Sequence, residues 1–255
     1  MKNRGKDYTK GKIELKMWEF VELWENGPQF AQSEHFRLGT DSILLSDFVN
    51  TTGKARGIDL GCGSGILPLL LLWRSDKLHM TGLEILPEAA EIAGANIGRN
   101  GLSSRFELVC GDIRQHRSLF GSGAFDLVVS NPPYFPGGSG KLSPIPERAQ
   151  ARGEMSCTLD ELCSAAAYLC RTGGAFFMVH RAERCAEVMG TLSAKGLEPK
   201  RLRFVAHSAD RAPSLMLIEA RRGAKPGVRV MPTLCLRSAG GSETDETRRI
   251  YHREV

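Results

Sequence analysis

The sequence predicts an α/β fold with a mostly parallel, seven-stranded sheet and helices on both faces. Two observations predict it. From Gly57 onward, short apolar strand-like segments alternate with helix-like ones, the pattern of βαβ units. A glycine-rich turn, Gly61 to Gly65, joins the first such strand to the first helix.

Gly57-Ile-Asp-Leu60 reads as a short buried strand, and Ile66 to Trp73 as an apolar helix. His79 to Glu84 is the second strand. Pro87 to Asn100 is a helix, with Pro87 in its first turn, where a missing N–H costs nothing, and Asn100-Gly101 at its end. Phe106 to Cys110 is the third strand. Phe125 to Val129, the fourth, is too continuously apolar for an exposed edge. After a Gly- and Pro-rich segment, Pro136 to Pro146, the expected order is helix Leu159–Leu169, strand Gly174–Val179, helix Ala182–Lys195, then strands Arg201–Ala206 and Leu215–Ala220. Ligands on such sheets bind beyond the carboxyl ends of the strands, so the site is expected there.

At 255 residues the chain can bury one full core, and 42% hydrophobic with 25% charged residues is ordinary for a soluble protein. The expected organisation is a mobile basic arm over residues 1–16 and a single domain over 17–255. That domain divides into an N-terminal covering segment (17–54), a core (55–222) and a C-terminal extension (223–255). No apolar run is long enough for a secretory leader or a membrane span. Seven cysteines without paired Cys-x-x-Cys spacing read as reduced thiols, neither a zinc site nor a disulfide framework. The expectation is a cytoplasmic, metal-free monomer.

The net charge is +5. Its basic residues gather in three places: Lys2 to Lys12; Lys195, Lys200, Arg201 and Arg203; and Arg221, Arg222, Lys225 and Arg229. Such clusters can neutralise phosphates, and each is also what a solvated surface looks like.

Asp59-Leu-Gly-Cys-Gly-Ser-Gly65 ends the first strand. Gly61, Gly63 and Gly65 permit a tight turn and close approach of backbone to a ligand. The run lacks the spacing of a dinucleotide loop and the Gly-Lys-Ser/Thr of a phosphate loop. Asp59 would repel a pyrophosphate but suits a cationic amino group. This string resembles the glycine loop of class I S-adenosylmethionine (AdoMet)-dependent methyltransferases, a Rossmann-like family. The resemblance implies AdoMet as cofactor, with its methionine amine near Asp59. Glu84, closing the second strand, would accept hydrogen bonds from ribose hydroxyls. Asp112, after the third strand, would bond the adenine amine. Cys62 reads as a small residue tolerated in the turn, not a nucleophile.

Ser130-Asn-Pro-Pro-Tyr-Phe135 follows the fourth strand. Two prolines fix the backbone and remove two amide donors. An exocyclic amine on a conjugated ring is a poor nucleophile because its lone pair is delocalised. The Asn131 side-chain oxygen and the Pro132 carbonyl can hold both its N–H bonds and favour a tetrahedral nitrogen. Pro133 stiffens the turn, Tyr134 offers a ring for base stacking, and Phe135 is a candidate contact to the RNA substrate. The other reading is a rigid turn with Tyr134 packed in the core. Asn-Pro-Pro-Tyr resembles the catalytic motif of methyltransferases that modify adenine N6, cytosine N4 or the glutamine amide.

Gln32 to Phe48 leads into the core through Phe36 and the Gly39-Thr-Asp41 turn, with Thr40 as helix cap. With the core motifs, this segment resembles the bacterial tRNA adenine-N6 methyltransferases acting on adenine 37 of valine tRNA. The resemblance spans about Phe30 to Pro232 and includes Ala151-Arg-Gly-Glu154 and Glu198 to Arg203. It implies N6-methylation of a tRNA adenine, with Phe36, Gly39 and Asp41 closing over the cofactor; core packing is the other reading of Phe36. Arg148, Arg152, Lys10 and Lys12 would grip phosphates of the tRNA partner. The tail departs from the family, carrying a charged run up to Tyr251 after Ala239-Gly-Gly241. The alternatives are a glutamine-N5 protein methyltransferase, an rRNA amino-methyltransferase and a non-catalytic AdoMet-binding module. The glutamine-modifying enzymes carry a helical domain before the loop, whereas 58 residues precede Asp59 here.

Overall fold

Seven strands share one twisted sheet whose order places the glycine turn at its centre. They are β3 (Arg56–Leu60), β4 (His79–Glu84), β5 (Phe106–Cys110), β6 (Phe125–Ser130), β7 (Cys170–Arg181), β8 (Leu197–Ala206) and β9 (Leu215–Arg222). The computed structural model describes residues 18–31, 39–132 and 157–253. Their order across the sheet is β8-β9-β7-β6-β3-β4-β5. All neighbours are parallel except β9, which runs antiparallel to both β7 and β8.

The strands at the centre are apolar on both faces because helices cover both. In β6, Leu127 and Val129 enter one core cluster while Val128 enters the other, the period-2 alternation of a strand. The first face is covered by α1 (Thr40–Phe48), α2 (Ile66–Arg74) and α3 (Pro87–Arg99). The second carries the short α4 (His116–Leu119), α5 (Leu159–Leu169) and α6 (Cys185–Ala194). Helix α2 is buried from Ile66 through Leu72, which is why it shows no polar stripe. Each fully buried Leu or Ile contributes roughly 1.5–3 kcal/mol relative to exposure.

Helix ends follow local chemistry. Pro87 opens α3, and Gly101, at φ +70°, follows its Asn100 cap. Thr158 and Glu161 form a reciprocal capping box at the start of α5. Thr40 is not the cap of α1: Gly39 takes that position, and the Thr40 hydroxyl sits on the first helical turn, 3.2 Å from Asp41 Oδ1. Strands β7 and β8 begin four residues earlier than the sequence suggests. The predicted helix from Ala182 starts as a 3₁₀ turn and becomes α-helical at Cys185.

Three features lie beyond the seven strands. A hairpin, β1 (Phe20–Glu22) with β2 (Gln29–Ala31), packs on α3 through two asparagines. Fully buried Asn96 accepts from the Ala31 amide at 2.7 Å and donates to the carbonyls of Ala31 and Ser64, each at 2.9 Å. Asn100 pairs with the Gln29 backbone in the same way. Two short strands, β10 (Arg229–Val230) and β11 (Leu234–Cys235), extend the sheet beside β8, which makes nine strands among the described residues. The charged tail folds: Thr244 caps α7 (Asp245–Ile250), Ile250 is buried, and Arg249 pairs with Asp47 of α1 at 3.0 Å. The arm expected over residues 1–16 lies outside the described residues.

Candidate functional site

The carboxyl ends of β3, β4, β5 and β6 meet at one edge, and the glycine turn fills its centre. Gly61, Gly63 and Gly65 stand at φ +78°, +54° and +78°, a left-handed run that only glycine adopts without strain. The amides of Gly61 and Cys62 donate to the Leu83 carbonyl at 2.9 and 3.1 Å, which stitches the turn to β4. A Cβ on Gly61 would meet nothing nearer than Ile113 Cδ1 at 3.9 Å, whereas one on Gly65 would lie 3.0 Å from Ala93 Cβ. Gly65 is thus required for packing of the turn on α3, and Gly61 for conformation alone. Gly61→Ala should cost about 1–2 kcal/mol for the left-handed residue. Gly65→Ala should cost more, because Ala93 belongs to a packed helix and cannot withdraw. Equal melting temperatures for the two variants would overturn this ordering.

Asp59 and Glu84 lie buried beneath the turn. Glu84 accepts from the Gly63 amide at 2.8 Å through Oε2 and from the Leu86 amide at 3.0 Å through Oε1, so it shapes the loop directly. Asp59 Oδ1 has no hydrogen-bond partner. Burial, then the neighbouring Glu84 carboxylate, push the Asp59 carboxyl well above the ordinary range. A buried acceptor of this kind suits a cationic donor. Cys62 is packed over Gly82, and burial with the two carboxylates holds its thiol well up, the opposite of an activated nucleophile.

Asp112 sits at the same edge, but its oxygens are engaged locally. It caps the 3₁₀ turn Ile113–Gln115 through the Arg114 amide at 2.8 Å and pairs with the Arg114 side chain at 2.6 Å. That hydrogen bond lowers its pKa. Gly39 is exposed and Asp41 half-buried at the start of α1.

β6 runs beside β3 with Asp59 opposite Val129, so by the same register Asn131 leaves the sheet alongside Gly61. Ser130 Oγ donates to the Leu60 carbonyl at 2.7 Å and locks the two strand ends together. Asn131 Nδ2 donates to Ser42 Oγ of α1 at 2.9 Å, which fixes the plane of the amide. Neither serine was assigned a role from sequence. Ser130 precedes the Asn-Pro-Pro motif and Ser42 follows Gly-Thr-Asp, but a contact between residues 89 apart leaves no local pattern. Phe36, Pro133, Tyr134, Phe135, Arg148, Arg152, Lys10 and Lys12 lie outside the described residues.

The model of the methyltransferase small domain matches residues 30–194. The chain belongs to that family. The methyltransferase is similar to a Bacteroides fragilis protein named tRNA1(Val) (adenine(37)-N6)-methyltransferase, 32% identical over 71% of this chain and 76% of that one. A Tolumonas auensis protein of the same name is 30% identical over 82% of this chain and 86% of its own length. Among solved structures, an Agrobacterium tumefaciens protein titled as a predicted O-methyltransferase superposes with a TM-score of 0.69. It covers 84% of this chain and 96% of its own at 18% identity, a likeness of fold. The enzyme uses AdoMet as methyl donor, and its unpaired Asp59 oxygen beneath an open glycine turn fits that cofactor. Among the described residues, no helix is long and apolar enough to cross a membrane.

Proposed function

We propose that the enzyme methylates the exocyclic N6 amine of an adenine in tRNA, at position 37 of valine tRNA as in the names of its relatives. The observation that carries the reading is Asn131, held by Ser42 at the carboxyl end of β6, alongside the glycine turn. In this reading Asp59 takes the cofactor's ammonium, and the Gly61–Gly65 backbone lies against its methionine part. Glu84, already tied to two amides, has remaining lone pairs for ribose hydroxyls. The cofactor supplies an electrophilic methyl on a sulfonium.

The chain's own residues do the rest by positioning. Asn131 Oδ1 and the Pro132 carbonyl accept the two N–H bonds of the target amine and turn its lone pair toward the methyl. Acceptors fixed before the reaction need not reorganise as positive charge grows on the nitrogen. The proton leaves after transfer, so no dedicated base is required. Asp112, tied to Arg114 at the same edge, keeps lone pairs for the cofactor's adenine amine.

The test is methyl transfer from labelled AdoMet to total unmodified tRNA, followed by nucleoside mass spectrometry. N6-methyladenosine in valine tRNA is the expected product. Label in protein glutamine, or in rRNA alone, would overturn the substrate; no label anywhere would overturn the enzyme reading.

A further inference from the structure

Among the described residues, most of the late basic side chains lie away from the cofactor edge. Lys195, Lys200, Arg221, Arg222, Lys225 and Arg229 lie at the amino ends of the parallel strands, joined there by Lys54, Arg56, Arg117 and Arg171. Few carboxylates answer them. Asp126 takes Arg171, Asp160 takes Lys195, and Glu219 is shared between Arg201 and Arg221. Among the described residues, Lys54, Arg117, Lys225 and Arg229 pair with no carboxylate. Burial, then the repulsion of Arg221 and Arg171, lower the Lys54 pKa, a mark of cations crowded together. Three of these cations, Arg117, Lys195 and Arg222, line a cleft of about 440 Å³ around Tyr168. The Arg117 guanidinium lies 4.5 Å above the Tyr168 ring, and Arg222 is anchored on the carbonyls of Tyr168 and Cys170.

This cleft is linked to the catalytic edge by α5, Leu159–Leu169, which is about 16 Å long. Uncompensated like charges on a folded surface cost free energy through self-repulsion, and a polyanion relieves it. We propose that the cleft and the cations around it form a second RNA-binding surface that grips backbone phosphates remote from the target adenine. The inference rests on the tRNA reading above. The cleft stands about the length of α5 away from the catalytic edge, a separation that a folded tRNA bound at that edge spans. Lys195 and Arg222 are held in place by their own hydrogen bonds, so the surface is set before RNA arrives. Phosphate contacts carry no sequence information; they set orientation and affinity.

The experiment uses Lys54→Gln/Arg117→Gln/Lys225→Gln, three side chains with no ion pair to lose. It compares full-length unmodified tRNA with a short oligoribonucleotide carrying the target adenine and its neighbours. For full-length tRNA, KM should rise about tenfold, and the slope of log K against log salt should flatten by about two to three. The kcat, the AdoMet affinity and kcat/KM on the oligoribonucleotide should stay within about twofold. An unchanged KM and salt slope on full-length tRNA would overturn the proposal. So would an equal loss on both RNAs, which would mean general steering. If the wild-type enzyme methylates no tRNA, the substrate reading fails. Fluorescence anisotropy of labelled full-length tRNA then decides the surface separately: an unchanged Kd and slope in the triple variant reject it.

Discussion

Asn131→Ala should lower kcat about 10²- to 10³-fold, about 3–4 kcal/mol of barrier, while the AdoMet Kd moves less than about twofold. The split follows from where the residue stands: at the end of β6 beside the turn, held by Ser42, and not among the groups beneath the glycines. The substitution also leaves the buried Ser42 hydroxyl without its donor, which costs about 1–3 kcal/mol of stability. Asn131→Asp is the informative companion. The carboxylate keeps an acceptor for the amine, and the Ser42 hydroxyl can reverse and donate to it. Asp should therefore retain more activity than Ala. Single-turnover rates with tRNA and a separate AdoMet titration read both quantities. A loss confined to cofactor affinity would remove Asn131 from the chemistry.

Asp59→Asn should separate cofactor binding from stability in opposite directions. Losing a charge-assisted contact to the ammonium is worth about 1.5–3 kcal/mol, so the AdoMet Kd should rise roughly 10- to 150-fold. The apoprotein should instead become more stable. The folded carboxyl titrates well above its unfolded counterpart, so between the two values the folded state binds more protons than the unfolded one. The stability contributed by the protonated group is complete below the unfolded pKa near 3.9 and is lost as pH rises through the folded value. An amide does not titrate, so the variant avoids that loss at neutral pH. Its melting temperature should rise by about 2–4 °C for each kcal/mol recovered. Added AdoMet should stabilise the wild type far more than the variant. Calorimetry from pH 4 to 8, with and without AdoMet, checks both signs; a less stable apo variant would refute the account.

The core was legible because its physics is local. β4 and α5 begin and end where periodicity places them, and Pro87 and Gly101 punctuate α3. The glycine run was legible because only glycine tolerates three left-handed residues so closely spaced. Other parts had no local signal. The β1 and β2 strands are three residues each, with a single half-buried or buried Phe apiece, too short to show alternation. The tail helix hides its one core residue, Ile250, behind five charged or polar neighbours; the Thr244 cap was the available sign. Asp112 could be read from its place after β5, but its pairing with Arg114, two residues on, which bonds both of its oxygens, could not. The late basic clusters could be counted in the sequence, but only the sheet order tells which edge they occupy.

Asn96 has a consequence for how the molecule opens. One buried amide bonds the backbone of the amino-terminal hairpin and the Ser64 carbonyl of the glycine turn at once. Neither can move away without stranding a desolvated polar group, so the two should breathe as a single cooperative unit. Through Asn96 the hairpin thus sets how often the glycine turn at the catalytic edge comes apart. Substitutions that loosen the hairpin will then read out as a faster-exchanging cofactor, at a distance and without touching it.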